Sequence, residues 1–176
     1  MNYKEFQESS KRTLAKLASK KEDLAHMVMG ICSEISELEE AISKNDRNGI
    51  GEELADIQWY ISNYNNIIGT EYVGNDTVSS DNIEMLIKLL YSQCSLLQDL
   101  VKKYLAYDKK INSSIEKSIL YNIEGILVAI YDLYGISYEE YMEKNILKLK
   151  ARYPDKFENT LALNRNLEVE RSILES

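Results

Sequence analysis

Apolar residues recur with the period of an α-helix along most of the chain, and few residues interrupt them. Between residues 24 and 42, leucine, isoleucine, valine and methionine return every three or four positions, which places them on one helical face. The 176 residues include seven glycines and one proline, so long helices can form without breaks. No segment shows the two-residue alternation of a half-buried strand. The sequence therefore predicts an all-α fold.

The same periodicity predicts four central helices of about twenty residues, flanked by shorter helices towards both ends of the chain. Helices of this length rise about 30 Å, which suits an antiparallel four-helix-bundle core. Gly69 and Gly135 are expected to end two of them. A turn is expected at 44–49 and a loop at 70–80. The helices are expected at 3–18, 23–43, 50–68, 81–106, 115–134 and 137–151, with a charged helical tail after Thr160.

Two stretches of the second half of the chain resemble two stretches of the first half. Residues 33–44 align with 92–103, and residues 54–69 align with 120–135, with matching apolar positions and terminal glycines. Helical periodicity alone can produce part of such a similarity. The alignment nevertheless favours a tandem duplication of one helical hairpin.

Four carboxylates are spaced so that they can converge on one helix pair. Residues three apart share a helical face, so Glu34 and Glu37 project together from one helix, and Glu53 and Asp56 from the next. Four anions in one place repel each other unless a cation lies among them, and hard divalent cations take oxygen ligands. A solvated acidic face is the common alternative. It is the one that we expect for the neighbouring acids Glu39, Glu40, Asp46 and Glu52.

The overall charge and the two cysteines exclude other classes of site. The formal net charge is −8, which argues against binding to nucleic acid or to an anionic membrane. The polar N-terminus and the lack of a membrane-spanning apolar run predict a cytoplasmic protein. Cys32 and Cys94 lack the spacing of a zinc site and are expected to be buried free thiols.

The acidic pattern resembles a known signature. Glu34-x-x-Glu37, fifteen further residues, and then Glu53-x-x-Asp56 resembles the signature of the MazG-like all-α nucleoside triphosphate pyrophosphohydrolases, which are related to the all-α dUTPases. "LAHMVMGICSEISELEEAI" looks like the first motif helix of that family, and "EELADIQWYI" like the second. The segments "YMEKNILKLKARYPDKF" and "ALNRNLEVERSILE" are similar to the parts that follow this helical core in some members.

The resemblance implies a hydrolase that uses Mg²⁺, or Mn²⁺ in its place, and cleaves a (d)NTP between the α- and β-phosphates. The products would be the monophosphate and pyrophosphate. Glu34, Glu37, Glu53 and Asp56 would be the metal ligands, and Glu37 or Glu53 would be the base that activates water. Many members begin the motif with two glutamates, whereas this chain has Ser33 at the first position, so the choice of base stays open.

Substrate contacts are implied by the same resemblance. Asn145, Lys148 and Arg152 would contact phosphates, and their spacing places them on one helical face. Trp59 is a candidate for base contact, with a core position as the alternative. Asn63 is a candidate for base or sugar contact, with an inter-helix hydrogen bond as the alternative. A specialised dUTPase or dCTPase and a non-catalytic helical binding module remain the alternative functions.

The duplication would leave the second hairpin without metal ligands, because every aligned position is neutral there. We expect one all-α domain over 1–176, with the catalytic hairpin within 1–69, the degenerate hairpin at 81–135 and the phosphate-contact helix and tail at 136–176. A chain of this kind is expected to act as a monomeric pseudo-dimer or a homodimer. The four aligned positions are Gln93, Leu96, Ile119 and Asn122.

Overall fold

The described residues of the computed structural model, 1–71, 78 and 80–175, form helices and connecting segments and no strands. The predicted all-α class is therefore confirmed. The predicted loop at 70–80 lies mostly outside these residues. The helices are α1 (Tyr3–Ser10), α2 (Lys20–Ser43), α3 (Arg47–Ile68), α4 (Ile83–Tyr107), α5 (Ser113–Tyr134), α6 (Tyr138–Arg152), α7 (Asn159–Leu163) and α8 (Leu167–Glu175).

Helices α2 to α5 form the predicted four-helix core. Helix α2 packs between α3 and α4, and α5 closes the bundle by contacting both α4 and α3. The apolar stripe predicted for α2 faces this core, since Leu24, Ile31 and Leu38 are at most 1% exposed. Helices α1, α6 and α8 lie against α3 from outside the bundle, so α3 is the element that connects the core to the flanking helices.

Glycines and one side-chain cap set the boundaries of α3 and α5. Gly69 (φ 74°) and Gly135 (φ 58°) end α3 and α5 in the left-handed conformation, as predicted. Helix α3 begins at Arg47 rather than at residue 50, because the Asp46 side chain accepts the Gly49 N–H and caps the helix early.

The first predicted helix is shorter than expected. Helix α1 ends at Ser10 and a single 3-10 turn follows, whereas the periodicity predicted a helix to residue 18. Two acids in the first turn of α2 explain the difference. Asp23 accepts the Leu17 N–H and Glu22 accepts the Ala18 N–H, so these donors bond to side chains and not to a continuing helix.

The expectation of free thiols is wrong. Cys32 on α2 and Cys94 on α4 form a disulfide, with their Cα atoms 6.6 Å apart. The bond joins the two hairpins across the α2–α4 contact and closes a sequence separation of 62 residues. Such a crosslink stabilises the fold mainly by restricting the unfolded chain.

None of the described helices is long and apolar enough on its own to cross a membrane. Only α5 and α6 taken together meet the length and composition requirements, and a bend of 106° separates them.

Gly51 allows α6 to approach α3 closely. A Cβ atom at this position would lie 2.3 Å from Cε1 of Tyr141, which is closer than two non-bonded carbon atoms can approach. The Tyr141 hydroxyl also donates a hydrogen bond to Asn48 Oδ1 at 2.8 Å, which holds the ring in place. The helix pair therefore requires a residue without a side chain at Gly51.

We expect Gly51→Ala to lower the free energy of unfolding by about 1–3 kcal/mol, since overpacking outweighs the better helix propensity of alanine. Chemical denaturation measures the loss. In a Tyr141→Ala background the ring is absent, so the same Gly51→Ala change should be neutral or stabilising. An equal loss in both backgrounds would contradict the contact.

Candidate active site

One cavity is lined by side chains from α2, α3 and α6 and from the segments that follow α1 and α6. Its acidic wall comes from α2 and α3, an aromatic wall includes Trp59 and Tyr60, and two arginines are also part of the lining. All four carboxylates of the predicted metal site line it. The acidic residues of the lining are Glu34, Glu37, Glu52, Glu53 and Asp56.

Three of these carboxylates form a compact cluster. Glu34, Glu37 and Glu53 each present one oxygen, and the three oxygens lie within 4.8 Å of one another. Oxygens that share a divalent cation lie up to roughly 4–5 Å apart, because each sits about 2.0–2.6 Å from the ion. The predicted helix geometry thus brings Glu34 and Glu37 of α2 to Glu53 of α3.

The electrostatics of the cluster favour a cation. Burial, followed by the charge of Asp56, raises the pKa of Glu34 to about 7 and that of Glu53 to about 10. Without a cation, Glu53 therefore holds a proton at neutral pH and shares a hydrogen bond with Glu34. Hard anionic oxygens that need neutralisation are the donors that Mg²⁺ prefers, so the residues present fit this ion.

Asp56 belongs to the same cavity but has protein partners on both oxygens. Asn145 donates to Oδ1, and the ammonium of Lys148 lies 2.5 Å from Oδ2. Lys148 is 1% exposed and also contacts Glu52 at 3.1 Å. Burial opposes its charge, but Asp56 and Glu52 outweigh burial and raise the pKa of Lys148. A buried ammonium therefore neutralises the side of the acidic wall that faces α6.

The three predicted phosphate contacts occupy two different places. Asn145 and Lys148 share one face of α6, as their spacing predicted, and this face meets Asp56 behind the cavity lining. Arg152, one turn further on, lines the cavity. Phosphate contact stays a prediction for all three residues, and Arg152 is the one of them that lines the cavity.

One of the four acids that we expected to be solvated is not. Glu52 lines the cavity and pairs with the buried ammonium of Lys148, and its side chain is 17% exposed. Its spacing from Asp56, one helical turn, was the signal for this position. Asp46 caps α3 and contacts Arg171, so it also has a structural role.

The aromatic wall includes the predicted base-contact residue. Trp59 lines the cavity at 9% exposure, and its Nε1 donates to Thr13 Oγ1 at 3.2 Å. Tyr60 packs over Gly30, where a Cβ atom would lie 2.1 Å from the ring atom Cε1. Phe157, which the sequence did not point to, completes the wall from beyond α6.

Asn63 lies away from the cavity. Its side chain is fully buried, donates to the Trp59 carbonyl at 3.2 Å and accepts from Ser10 Oγ at 3.3 Å. The inter-helix hydrogen bond, which was the alternative for this residue, is the arrangement in the structure. A base or sugar contact by Asn63 stays a prediction.

The second hairpin has a neutral contact at the aligned positions. Asn122 Nδ2 on α5 donates to Gln93 Oε1 on α4 at 3.3 Å. The internal alignment sets Gln93 against Glu34 and Asn122 against Asp56. These two amides thus meet across the α4–α5 pair, and the duplication itself stays a prediction.

The sequence of the first hairpin matches a known family. Residues 22–86 match the family model of the MazG nucleotide pyrophosphohydrolase domain. This part of the chain, which we call the MazG segment, is similar to the MazG domain. The match includes the four acidic positions, so the resemblance is confirmed there. A MazG domain suggests a nucleotide pyrophosphohydrolase, which is a hydrolase, and the members of this family are typically metal-dependent. No curated protein and no solved structure gives a significant match to the chain.

The raised pKa values in the MazG segment predict a pH-dependent stability without metal. The folded protein retains protons on Glu34 and Glu53 that the unfolded chain releases above its ordinary pKa of 4.5. Stability should therefore fall as pH rises from about 4.5 towards 7 and beyond. Thermal unfolding in a chelator across this range measures the slope, and Mg²⁺ should raise the melting temperature most at high pH.

Glu53→Gln should flatten this slope and remove most of the Mg²⁺ effect. The matched control is Glu40→Gln, which neutralises an exposed acid of α2 that pairs with Lys44. A slope in Glu53→Gln equal to that of the wild type would contradict the assignment.

Loss of the buried ammonium should destabilise the protein. Lys148→Met leaves Asp56 and Glu52 without their cation, which we expect to cost about 3 kcal/mol or more in the free energy of unfolding. Mg²⁺ should restore part of the loss by bringing positive charge into the same cavity. Lys150→Met, at an exposed position of the same helix, is the control. Denaturation curves that coincide for the two variants would contradict this role.

Proposed function

We propose that the protein is a Mg²⁺-dependent nucleoside triphosphate pyrophosphohydrolase of the cytoplasm that controls a nucleotide pool. It would cleave a (d)NTP between the α- and β-phosphates and release the monophosphate and pyrophosphate, with Mn²⁺ as a possible substitute ion. The observation that carries the proposal is the convergence of Glu34, Glu37 and Glu53 in one cavity of the MazG segment.

The carboxylates would bind the metal, and one of them would accept a proton from the attacking water. Glu34, Glu37 and Glu53 are the proposed ligands, and Asp56 is the fourth because it lines the same cavity on the same face of α3. When bound, Mg²⁺ neutralises phosphate charge and lowers the pKa of water. Glu37 is the exposed member of the cluster, so it is the base with open access to water, with Glu53 as the second candidate.

The remaining walls of the cavity suit the other parts of a nucleotide. Arg152 offers a guanidinium for phosphate oxygens. Asn145 and Lys148 bond to Asp56 in the absence of a ligand, and we propose that they also contact phosphates when a nucleotide is bound. Trp59, beside Tyr60, offers an aromatic surface for a base.

A narrower substrate range is the second candidate. The hydrogen bond between Gln93 and Asn122 supports a fused, degenerate hairpin, and tandem hairpins are typical of the all-α dUTPases that this chain resembles. A dUTPase or dCTPase would keep the same ligands and the same cleavage. In either case the fused hairpin would let a monomer act as a pseudo-dimer, and a homodimer is the alternative assembly.

A screen of (d)NTPs with Mg²⁺ or Mn²⁺ tests the function, with pyrophosphate and orthophosphate scored separately. We expect pyrophosphate as the product and a loss of at least roughly 100-fold in kcat/KM for Glu53→Gln, since even indirect metal partners contribute 10–100-fold. Glu40→Gln should retain activity. Hydrolysis of no nucleotide, with Mg²⁺ still bound, would favour a non-catalytic binding module. Full activity of Glu53→Gln would contradict the proposed site.

A further inference from the structure

Two arginines form a cationic wall in the cavity, and one buried carboxylate holds both. Arg152 donates from Nε to Glu170 Oε1 at 2.9 Å and from Nη2 to Oε2 at 2.5 Å. Arg165 donates from Nε and Nη2 to the same Oε2, at 3.2 and 2.7 Å. Arg152 and Arg165 are the side chains of fixed positive charge among the described residues that line the cavity.

The charges in this group do not balance. Two guanidinium groups face the single carboxylate of Glu170, which is 4% exposed. The buried ammonium of Lys148 is already paired with Asp56 and Glu52, so it does not share in this group. Within this group one positive charge has no partner, and it lies at the opposite part of the lining from the carboxylates of α2 and α3, so an anion can bind there.

Arg165 has a donor available for such an anion. Both of its hydrogen bonds use Nε and Nη2, and within the described part of the chain its Nη1 has no hydrogen-bond partner. Its side chain is 42% exposed, whereas that of Arg152 is 14% exposed. A guanidinium fixed along one edge and open along another is arranged in advance for a phosphate group.

We infer that Arg165 is an anion-binding residue of this cavity and that, with Arg152, it holds the phosphates that leave as pyrophosphate. The identity of the anion rests on the proposed function. The carboxylate cluster would hold the metal, so the guanidinium wall is the part of the cavity left for the distal phosphates. Arg165 lies between α7 and α8, outside the part of the chain that matches the MazG family model.

Calorimetric titration with inorganic pyrophosphate in constant excess Mg²⁺ tests this binding without hydrolysis. We expect Arg165→Gln to weaken pyrophosphate binding roughly tenfold or more, the effect of losing a charge-assisted hydrogen bond. Binding of a nucleoside monophosphate should change much less, because it lacks the distal phosphates. Arg165→Lys, which keeps the charge but not the fork, should be intermediate.

Arg171→Gln is the matched control. Arg171 lies six residues further along and pairs with Glu175 and Asp46 outside the cavity, so its loss removes the same charge from the same terminal segment. It should leave pyrophosphate binding unchanged. An equal loss in Arg171→Gln and Arg165→Gln, or no loss in the glutamine and lysine variants of Arg165, would overturn the inference, as would a wild type that does not bind pyrophosphate.

The two proposals fail in distinguishable ways. If no nucleotide is hydrolysed but Arg165→Gln weakens pyrophosphate binding selectively, the anion site stands and the proposed function is wrong. If nucleotides are hydrolysed but Arg165→Gln binds pyrophosphate like the wild type, the proposed function stands and the inference is wrong.

Discussion

The repulsion between carboxylates on the facing sides of α2 and α3 is the constraint on which the rest of the site depends. Oxygens of Glu34, Glu37 and Glu53 lie within 4.8 Å of one another, and burial together with the charge of Asp56 raises the pKa of Glu34 and Glu53. The buried ammonium of Lys148 pairs with the adjacent carboxylates Asp56 and Glu52. Without a cation the folded protein retains protons on Glu34 and Glu53, and a metal ion bound to the cluster would displace them.

Helix α6 completes the site because it lies in direct contact with α3. The absence of a side chain at Gly51 lets the Tyr141 ring pack against α3, and the same helix then brings Lys148 to Asp56 and places Arg152 at the cavity wall. Residues beyond the MazG segment therefore set the charge balance of the carboxylates within it. The hairpin supplies the acids, and the terminal helices supply the cations that surround them.

The sequence predicted what depends on local periodicity and spacing. The apolar stripe of α2 and the three-residue spacing of Glu34 and Glu37 correctly gave a helix with one buried and one acidic face. Contacts between distant elements were not accessible in this way. The Cys32–Cys94 disulfide requires α2 to lie beside α4, and the pairing of Arg152 with Glu170 requires α8 to lie beside α6. Lys148 illustrates this limit of sequence-based prediction, since the helical face on which it lies was predicted but its partner, Asp56, was not.

The second hairpin gives an internal measure of what the fold itself requires. Gln93 and Asn122 occupy the positions aligned with Glu34 and Asp56, and they meet through an ordinary amide hydrogen bond at 3.3 Å. Helix pairs of this kind therefore pack without charge at these positions, and neutral side chains avoid the repulsion that raises the pKa of Glu34. Stability alone would favour amides in the first hairpin as well. The acids of the first hairpin are best explained by a ligand that needs their charge, and a divalent cation is the ligand that such oxygens bind.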